Sequence, residues 1–439
     1  MSNPPRTGLI LTLTLVAAAV VVPLATGWQV HARADRDDGV APLHALWDPK
    51  VGPGTLPALG LALAGVRWGP ALADRLRWRP LLLGSYAAGL AWLLSLALVD
   101  GPAGISRVLG NPDEYLRSAR QVSDVHRLLE TYVARIPLAA PHHWPVHLAG
   151  HPPGMVLFFV LLVRLGLGGD LAAGLVVTGL AATLPLAVLV TLRALGREPV
   201  ARRVAPYLVL TPAAVYLAVS ADAVMAVVVA WGLACLALPT RRPARSGWPW
   251  AVLAGLCLGA AVMMSYGLPL AALLALAVLL GARRWWPLPV AALAASAVVL
   301  AFAAGGFAWW DAYPVLRRRY WDGIAAVRPA AYWLWGDLAA LAISAGPLVG
   351  AGLAATWRAA REHRRGSRVV VLLVAAAAVA VVLADLSRMS KAEVERIWLP
   401  FVPWLTLGLA FLPLGWRRPA LAGQVVTALV VQHLLYTSW

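Results

Sequence analysis

An acidic pair stands in the longest polar stretch of the sequence, which runs from Asp100 to Pro152. Asp113 and Glu114 carry carboxylate groups, which can take a proton from a hydroxyl group while that hydroxyl oxygen forms a new bond. We predict that Asp113 is this base and that Glu114 and the adjacent Tyr115 support it. Helix capping is the alternative, because acids are also favoured in the first turn of a helix.

Four histidines follow closely, at His142, His143, His147 and His151. Histidines and acids together can bind zinc, but the neighbouring prolines make this segment irregular rather than a preformed ligand helix. We predict instead that His151 forms a hydrogen bond to a donor phosphate or to an acceptor. The sequence also leaves open a Mg²⁺ or Mn²⁺ ion held by Asp113 or Glu114.

Basic residues near two span boundaries form a third set. Arg388 and Lys391 are three residues apart and are followed by Arg396, while Arg318 lies in a run of three arginines. Arginine suits phosphate because its planar fork donates two parallel hydrogen bonds. We predict that these four residues contact a phosphate group. A local ion-paired helix and an interfacial aromatic belt with arginines are the alternatives.

A strongly apolar chain must position these residues. Of its 439 residues, 61% are hydrophobic and 13% are charged, which excludes a soluble enzyme. We predict an all-α polytopic membrane protein in which residues 1–439 form a single transmembrane domain without a separate soluble domain. The net charge of +17 is typical of basic loops on one side of a membrane, so we expect no nucleic-acid partner. Cys235 and Cys257 lie in apolar runs and have no disulfide or metal-site spacing.

Fourteen hydrophobic segments predict a bundle of about 13 transmembrane helices, because charge placement requires an odd number of crossings within 153–193. Several segments are shorter than the roughly 20 residues that a straight membrane-spanning helix needs. The segments are Gly8–Gly27, Pro53–Val66, Pro80–Val99, Met155–Val163, Leu171–Leu192, Val204–Val219, Ala223–Leu238, Ala251–Met264, Leu268–Leu280, Pro287–Phe307, Ala330–Leu353, Val369–Ala384, Ile397–Leu414 and Ala420–Tyr436.

The basic loops also predict the orientation. With an odd number of crossings in 153–193, more than half of the 37 basic residues share one face with three acids, Asp74, Glu198 and Glu362. That face is cytoplasmic by the positive-inside rule. Nearly all other carboxylates then lie on the extracytoplasmic face, together with the loop 100–152. We predict that this loop is ordered and contains an interfacial helix over Leu116–Arg135.

Three motifs occur in a characteristic order. The acidic pair precedes the His-Pro-Pro-Gly motif at 151–154, which enters an apolar segment, and Thr211-Pro212 precedes Asp222 at a junction between spans. In this order the motifs resemble the GT-C superfamily of membrane glycosyltransferases, which includes protein O-mannosyltransferases and lipid A aminoarabinose transferases. The resemblance covers about Pro80 to Met264.

The chain departs from the superfamily pattern in two places. The acidic pair in the family usually follows the first transmembrane helix, whereas here an earlier cluster containing Asp37 and Asp38 does so. Two loops therefore compete for the catalytic role. The lysine that family members often carry near Ser265-Tyr266 is missing.

The resemblance implies a GT-C-like bundle and an enzyme that moves a sugar from a polyprenyl-phosphate donor to an acceptor hydroxyl with inversion. The acceptor would be a glycan, a lipid or a protein, and Asp222, Asp37 and Asp38 would support catalysis. We expect an integral protein of the bacterial plasma membrane with its active site facing outside. A transporter or flippase for a lipid-linked or anionic substrate, and a non-catalytic membrane scaffold, are the alternatives.

Overall fold

A computed structural model describes residues 4–33, 39–363 and 366–437. Within these ranges the regular secondary structure is helical apart from one antiparallel ribbon, formed by β1 (Ala45–Trp47) and β2 (Leu435–Thr437). Leu46 pairs with Tyr436 in this ribbon, which joins the start of the bundle to its end. Asp37 and Asp38, predicted as supporting residues, lie outside the described residues.

In the first half of the chain, the α-helices are α1 (Pro4–Thr26), α2 (Thr55–Arg75), α3 (Trp78–Ala97), α4 (Arg107–Gly110), α5 (Tyr115–Ala119), α6 (Val125–Thr131), α7 (Val146–Ala149), α8 (Gly154–Arg164), α9 (Asp170–Ala181), α10 (Leu184–Ala194), α11 (Glu198–Val209) and α12 (Ala214–Leu217). Short 3₁₀ turns follow α3 at Leu98–Asp100 and Pro102–Ile105, and follow α6 at Val133–Arg135.

In the second half, the α-helices are α13 (Ala221–Ala237), α14 (Ala244–Val262), α15 (Ala271–Ala282), α16 (Pro287–Ala304), α17 (Trp309–Trp321), α18 (Ala330–Ser344), α19 (Val349–Arg361), α20 (Arg368–Leu386), α21 (Val394–Ile397), α22 (Val402–Thr406) and α23 (Arg417–Leu434). Further 3₁₀ turns occupy Leu238–Arg241, Leu268–Leu270, Ile324–Ala326, Leu407–Phe411 and Leu414–Trp416.

Among the described residues, seven helical stretches are long and apolar enough to cross a membrane. They are Pro4–Thr26, Thr55–Arg75, Trp78–Asp100, Asp170–Ala194, Ala221–Arg241, Pro287–Ala304 and Arg368–Leu386. The pair α18 and α19 meets at a bend of 96° and gives an eighth if it is one broken span. The chain is therefore a polytopic helical membrane protein, and several predicted segments, such as those at α8 and α15, form shorter helices.

Close helix approaches hold the bundle together at small residues. A Cβ on Gly255 of α14 would lie 2.2 Å from the carbonyl oxygen of Ala291 in α16, and one on Gly8 of α1 would lie 2.3 Å from that of Gly350 in α19. Backbones that approach this closely leave room only for hydrogen at these positions, as in other membrane helix pairs. Any larger residue would force these helices apart.

The region 153–193 contains one long apolar stretch rather than two. Arg120, in the loop 100–152, donates a hydrogen bond from Nε to the Gly168 carbonyl oxygen at 2.9 Å and forms an ion pair with Asp170. The break between α8 and α9 therefore lies against the long loop, where α8 also begins. With 11 residues, α8 is too short to span the bundle. The chain therefore begins α8 and begins α9 on the same side.

The basic loops meet at one end of the bundle. Arg202 donates to the carbonyl oxygens of Ala73 and Leu76 at 3.0 and 2.7 Å, and Arg417 forms an ion pair with Asp74 at 2.5 Å. The guanidinium of Arg193 stacks over the ring of Trp78 at 4.4 Å. Loops that are distant in sequence thus share one face, which we call the basic end.

The loop 100–152 folds at the opposite end as a series of short helices. The expected helix over Leu116–Arg135 is broken after Ala119, because Asp124 accepts from the backbone N–H groups of His126 and Arg127 and begins a new helix, α6. Tyr132 anchors the loop: its buried hydroxyl donates to the Leu148 carbonyl oxygen at 2.9 Å. The loop is ordered by these internal contacts.

Candidate functional site

Five ionisable side chains from distant parts of the chain form one ion network at the loop end of the bundle. Glu114 Oε1 lies 2.8 Å from His147 Nδ1, and Arg396 lies 3.0 Å from His147 Nε2. Arg396 also donates to Asp222 Oδ2 at 2.8 Å and to Glu393 Oε2 at 3.2 Å. Glu114, Asp222 and Arg396 are 3%, 4% and 6% exposed, so these charges are held away from solvent.

His147 lies between a buried anion and a buried cation. A guanidinium only donates hydrogen bonds, so Nε2, the ring nitrogen that faces Arg396, is placed to accept. Nδ1, the other ring nitrogen, faces the Glu114 carboxylate. The imidazole of His147 therefore links Glu114 to Arg396.

The charges of the network stabilise one another. Burial alone would favour the neutral acid at Glu114, but His147 and Arg396 outweigh it and hold the pKa of Glu114 below its ordinary value. Burial is likewise outweighed at Glu393, where Arg396 and Arg328 lower the pKa to about 2. The acids keep the pKa of Arg396 raised in spite of its own burial.

Local backbone structure positions two members of the network, Asp222 and Glu393. Asp222 lies in the first turn of α13, which Ser220 caps by accepting from the Asp222 N–H at 3.1 Å. Glu393 stands in left-handed backbone together with Ala392, at φ of 62° and 66°. Such backbone persists only where surrounding contacts hold it, here the hydrogen bond from Ala392 N to Asp337 Oδ1 at 2.9 Å.

A cavity of about 410 Å³ lies beside the network, and we call it the aromatic cavity. Its lining includes Tyr266, Trp309, Tyr313 and Trp398. Trp309 and Tyr313 stack with centroids 5.3 Å apart, and Tyr266 lies 5.4 Å from Trp309. Flat aromatic faces with a few polar groups are typical of small-molecule sites.

Hydrogen-bonding groups without partners occur in the same lining. Among the described residues, the Tyr266 hydroxyl, Trp309 Nε1 and Trp398 Nε1 are buried and make no hydrogen bond. Leaving such a group unpaired costs about 1–3 kcal/mol, so each one calls for an explanation.

His151 joins the ion network to the aromatic cavity. Its Nδ1 lies 2.8 Å from the His147 carbonyl oxygen, which can only accept, so Nδ1 carries the proton. Within the described residues Nε2 makes no hydrogen bond, and His151 lines the cavity. Burial lowers the pKa of His151, although Asp222 opposes this, so the ring is neutral at pH 7 and Nε2 is free to accept a proton.

The cavity also reaches the edge of the membrane. Leu383, Ala384 and Ser387, at the C-terminal end of the α20 span, belong to its lining. The side chain of Leu383 is exposed on the bundle surface, where lipid would contact it. A ligand with a lipid tail could therefore place its head in the cavity while its tail stays in the bilayer.

The predicted acidic pair separates in the structure. Glu114 is buried in the ion network, whereas the side chain of Asp113 is exposed, and its backbone N–H donates to Asn111 Oδ1 at 3.0 Å. Tyr115 is buried beside them, with its ring 6.0 Å from that of Phe159. Of the pair, the structure thus places Glu114, and not Asp113, beside the other candidate residues.

The predicted phosphate contacts lie in different surroundings. Arg396 belongs to the ion network, and Lys391 donates from Nζ to the carbonyl oxygens of Ala325 and Arg328, each at 2.9 Å. Arg388 and Arg318 are exposed. Arg388 stands in the chain between Ser387 and Met389, which line the aromatic cavity.

Sequence reasoning missed the roles of Tyr266, Trp309 and Tyr313. Trp309 and Tyr313 are one helical turn apart on α17, and this spacing was the available signal for a common face. It also missed Glu393, because an acid between Lys391 and Arg396 is ordinarily interpreted as part of a local ion pair. The contact from Arg396 to Asp222 spans 174 positions and leaves no local trace.

The described residues offer no preformed metal site: within them, no three His, Cys, Asp or Glu side chains are grouped so that they could hold an ion. Glu114 is engaged by His147, and Asp113 stands apart on the surface. A divalent cation at this pair therefore does not fit the observed arrangement. The proton and charge placements described above involve only side chains of the chain itself.

Comparison of the chain with protein-family models and with curated proteins finds no match. Any assignment of function therefore depends on the chemistry of the site. That chemistry combines a buried ion network, a neutral histidine and an aromatic cavity at the membrane edge.

Proposed function

We propose that the protein is a membrane-embedded glycosyltransferase, similar to the GT-C superfamily, that uses a polyprenyl-phosphate sugar donor. The observation that carries the proposal is the aromatic cavity, which adjoins a neutral histidine and opens at the end of a membrane span. Sugar rings stack their C–H faces on aromatic side chains, and a lipid-linked donor needs access from the bilayer. Both requirements are met at this one place.

The donor sugar is proposed to lie against the stacked rings of Trp309 and Tyr313 in the aromatic cavity. In the reaction, the acceptor oxygen bonds to the anomeric carbon while the bond from that carbon to the phosphate oxygen breaks. The electron pair of the broken bond leaves with the polyprenyl phosphate. The acceptor proton passes to Nε2 of His151.

The ion network positions His151 rather than touching substrate. The His147 carbonyl holds Nδ1 of His151, and the ring of His147 is held between Glu114 and Arg396. Nearby Asp222 favours the imidazolium that forms when His151 accepts a proton. We therefore assign the base to His151 in place of Asp113, with Glu114 and Asp222 in support.

The departing phosphate requires a cation at the cavity rim. We assign this contact to Arg388, because Lys391 and Arg396 already satisfy carbonyl and carboxylate oxygens within the protein. An exposed arginine at headgroup depth is able to contact a lipid phosphate without first breaking an ion pair. Arg318 on α17 remains a second proposed contact.

The orientation and context are also proposals. The basic end is placed in the cytoplasm by the positive-inside rule, which puts the aromatic cavity on the outer face of a bacterial plasma membrane. The acceptor would be a glycan, a lipid or a protein presented there. We propose that the seven long apolar helices and the bent pair of α18 and α19 cross the membrane, and that the shorter apolar helices are partial or tilted spans.

Replacing Arg388 with alanine is expected to weaken use of the polyprenyl-phosphate donor by about tenfold to a hundredfold, because a charge-assisted contact to phosphate is worth about 1.5–3 kcal/mol. Arg388→Lys should recover part of this loss, since it keeps the charge without the planar fork. Donor KM and thermal stability are measured on the same purified variants. Lower stability with an unchanged donor KM would make Arg388 a structural residue.

Labelling from one side of the membrane checks the orientation. In a variant lacking Cys235 and Cys257, Leu138→Cys in the exposed part of the loop should react with an impermeant maleimide in intact cells. Arg418→Cys at the basic end should react only after permeabilisation. Reversed labelling of the two positions would place the cavity on the cytoplasmic side and remove the external active site.

A transporter or flippase is the second candidate, and it rests on two buried carboxylates. Asp337 and Asp385, which are 2% and 8% exposed, lie in α18 and at the C-terminal end of α20, and buried ionisable residues of membrane proteins often mark transport pathways. Proteoliposomes with a labelled polyprenyl-phosphate sugar distinguish the functions. Movement of the label between leaflets without sugar transfer to any acceptor would favour transport.

A further inference from the structure

A second and more polar cleft lies in the long loop, apart from the aromatic cavity. Its volume is about 600 Å³, within the range of small-molecule sites. The lining comes from the segments 112–135 and 142–145, which belong to the short helices of the loop and to the histidine-rich stretch. We call it the loop cleft.

The loop cleft is lined mainly by cationic and hydrogen-bonding side chains. Three arginines, Arg117, Arg127 and Arg135, contribute to it, and Asp124 is the acid in its lining. The carboxylate of Asp124 already accepts from the N–H groups that begin α6. Arg117 and Arg127 are exposed and form no ion pair with any described residue. The cleft therefore has unbalanced positive charge.

Arg135 lines the cleft, and contacts with Trp144 and His142 hold its side chain in place. Its guanidinium lies 3.4 Å from the ring centroid of Trp144, and its Nε donates to the His142 carbonyl oxygen at 2.8 Å. The backbone N–H of Trp144 in turn donates a hydrogen bond to the Arg135 carbonyl oxygen at 2.8 Å. A stacked arginine of this kind loses little freedom when it binds an anion, because its rotamer is already fixed.

The loop cleft and the aromatic cavity are joined by one short segment. His142, His143, Trp144 and Pro145 line the cleft, while Gly150 and His151 line the cavity. The helix α7, with four residues, bridges the two. The segment that lines the cleft is therefore followed in sequence by the residue proposed as the base.

We propose that the loop cleft binds an anionic saccharide, which is the acceptor of the transfer reaction. The identification as acceptor depends on the proposed glycosyltransferase function, whereas the binding itself does not. Arginines contact the carboxylate or phosphate groups of the chain, and the serine, threonine and glutamine side chains of the lining contact its hydroxyl groups. A neutral saccharide lacks the charge that the three arginines select.

Binding is measured on the purified full-length protein in uncharged detergent, with penta-galacturonic acid as the anionic probe and maltopentaose as the neutral probe. We expect the anionic probe to bind and the neutral one to bind at least tenfold more weakly. The double variant Arg117→Gln/Arg127→Gln should lose at least tenfold in affinity for penta-galacturonic acid. Arg418→Gln, which removes one exposed positive charge at the basic end, should bind as the wild type does.

The possible results distinguish failure of the cleft proposal from failure of the proposed glycosyltransferase function. Equal binding of both pentasaccharides, or equal loss in Arg418→Gln, would overturn the cleft proposal. Inorganic phosphate and vesicles containing phosphatidylglycerol are added as competitors: displacement by the vesicles alone would make the cleft a lipid headgroup site and overturn it too. The His151→Asn variant, whose turnover is expected to be strongly reduced, should retain binding. Binding without any transfer by the wild type would contradict the proposed function alone.

Discussion

Replacing His151 with asparagine is expected to lower the turnover rate of sugar transfer by about 10²–10⁴-fold, the usual contribution of a general base. Asparagine keeps a donor for the His147 carbonyl, so the loop should fold as before. It cannot accept a proton at pH 7, which is the function that Nε2 of His151 has in the proposed reaction. The expected change is therefore in kcat, with the KM for the donor nearly unchanged.

The pH profile of the wild type gives an independent measurement. The base must be neutral, so the rate falls as pH decreases through the pKa of His151. Burial holds that pKa below the ordinary value for histidine, about 6.5, and the rate should therefore remain level through neutral pH. A decline centred above pH 7 would contradict this assignment, because it would require a raised histidine pKa or another group.

Two further variants make the test specific. His126→Asn changes an exposed histidine of the same loop, which pairs with Glu130, and should leave kcat unchanged. Asp113→Asn tests the base expected from the sequence. If Asp113→Asn is inactive while His151→Asn retains full turnover, the base is Asp113 and the proposed arrangement of the site is wrong.

The contrast between Asp113 and Glu114 shows where sequence reasoning reaches its limit. Composition and apolar runs predict a helical membrane protein, because burying so much hydrophobic surface leaves few other folds. Which of two adjacent acids is buried depends instead on the turn at Asn111-Pro112 and on His147. His147 contacts Glu114 and not Asp113. No propensity distinguishes these neighbours.

The number of spans was harder to predict than their nature. The apolar segment Met155–Val163 was interpreted as a candidate crossing, but α8 ends at a break that Arg120 holds against the loop. Charge placement had already indicated an odd number of crossings in this region, since the basic loops must share one side. Long-range pairs such as Arg396 with Asp222 appear only once the bundle is assembled.

Arg396→Met is expected to destabilise the protein by about 3–5 kcal/mol, because removing one partner of a buried ion pair leaves uncompensated charge. Asp222, Glu393 and the Glu114–His147 pair all lose their shared cation in this variant. Methionine has similar length and packs adequately, so the effect comes from charge and not from volume. Unfolding in detergent, followed by helical circular dichroism against denaturant, measures it.

A double variant separates the network from simple loss of a side chain. Arg396→Met/Asp222→Asn should be more stable than Arg396→Met alone, since one stranded carboxylate is then neutralised, and their coupling should reach about 0.5–3 kcal/mol. Arg388→Met, at an exposed arginine of the same segment, should change stability by less than about 0.5 kcal/mol. Equal stability losses in Arg396→Met and Arg388→Met would mean that the buried contacts to Asp222 and Glu393 contribute nothing, and the positioning of His151 would need another cause.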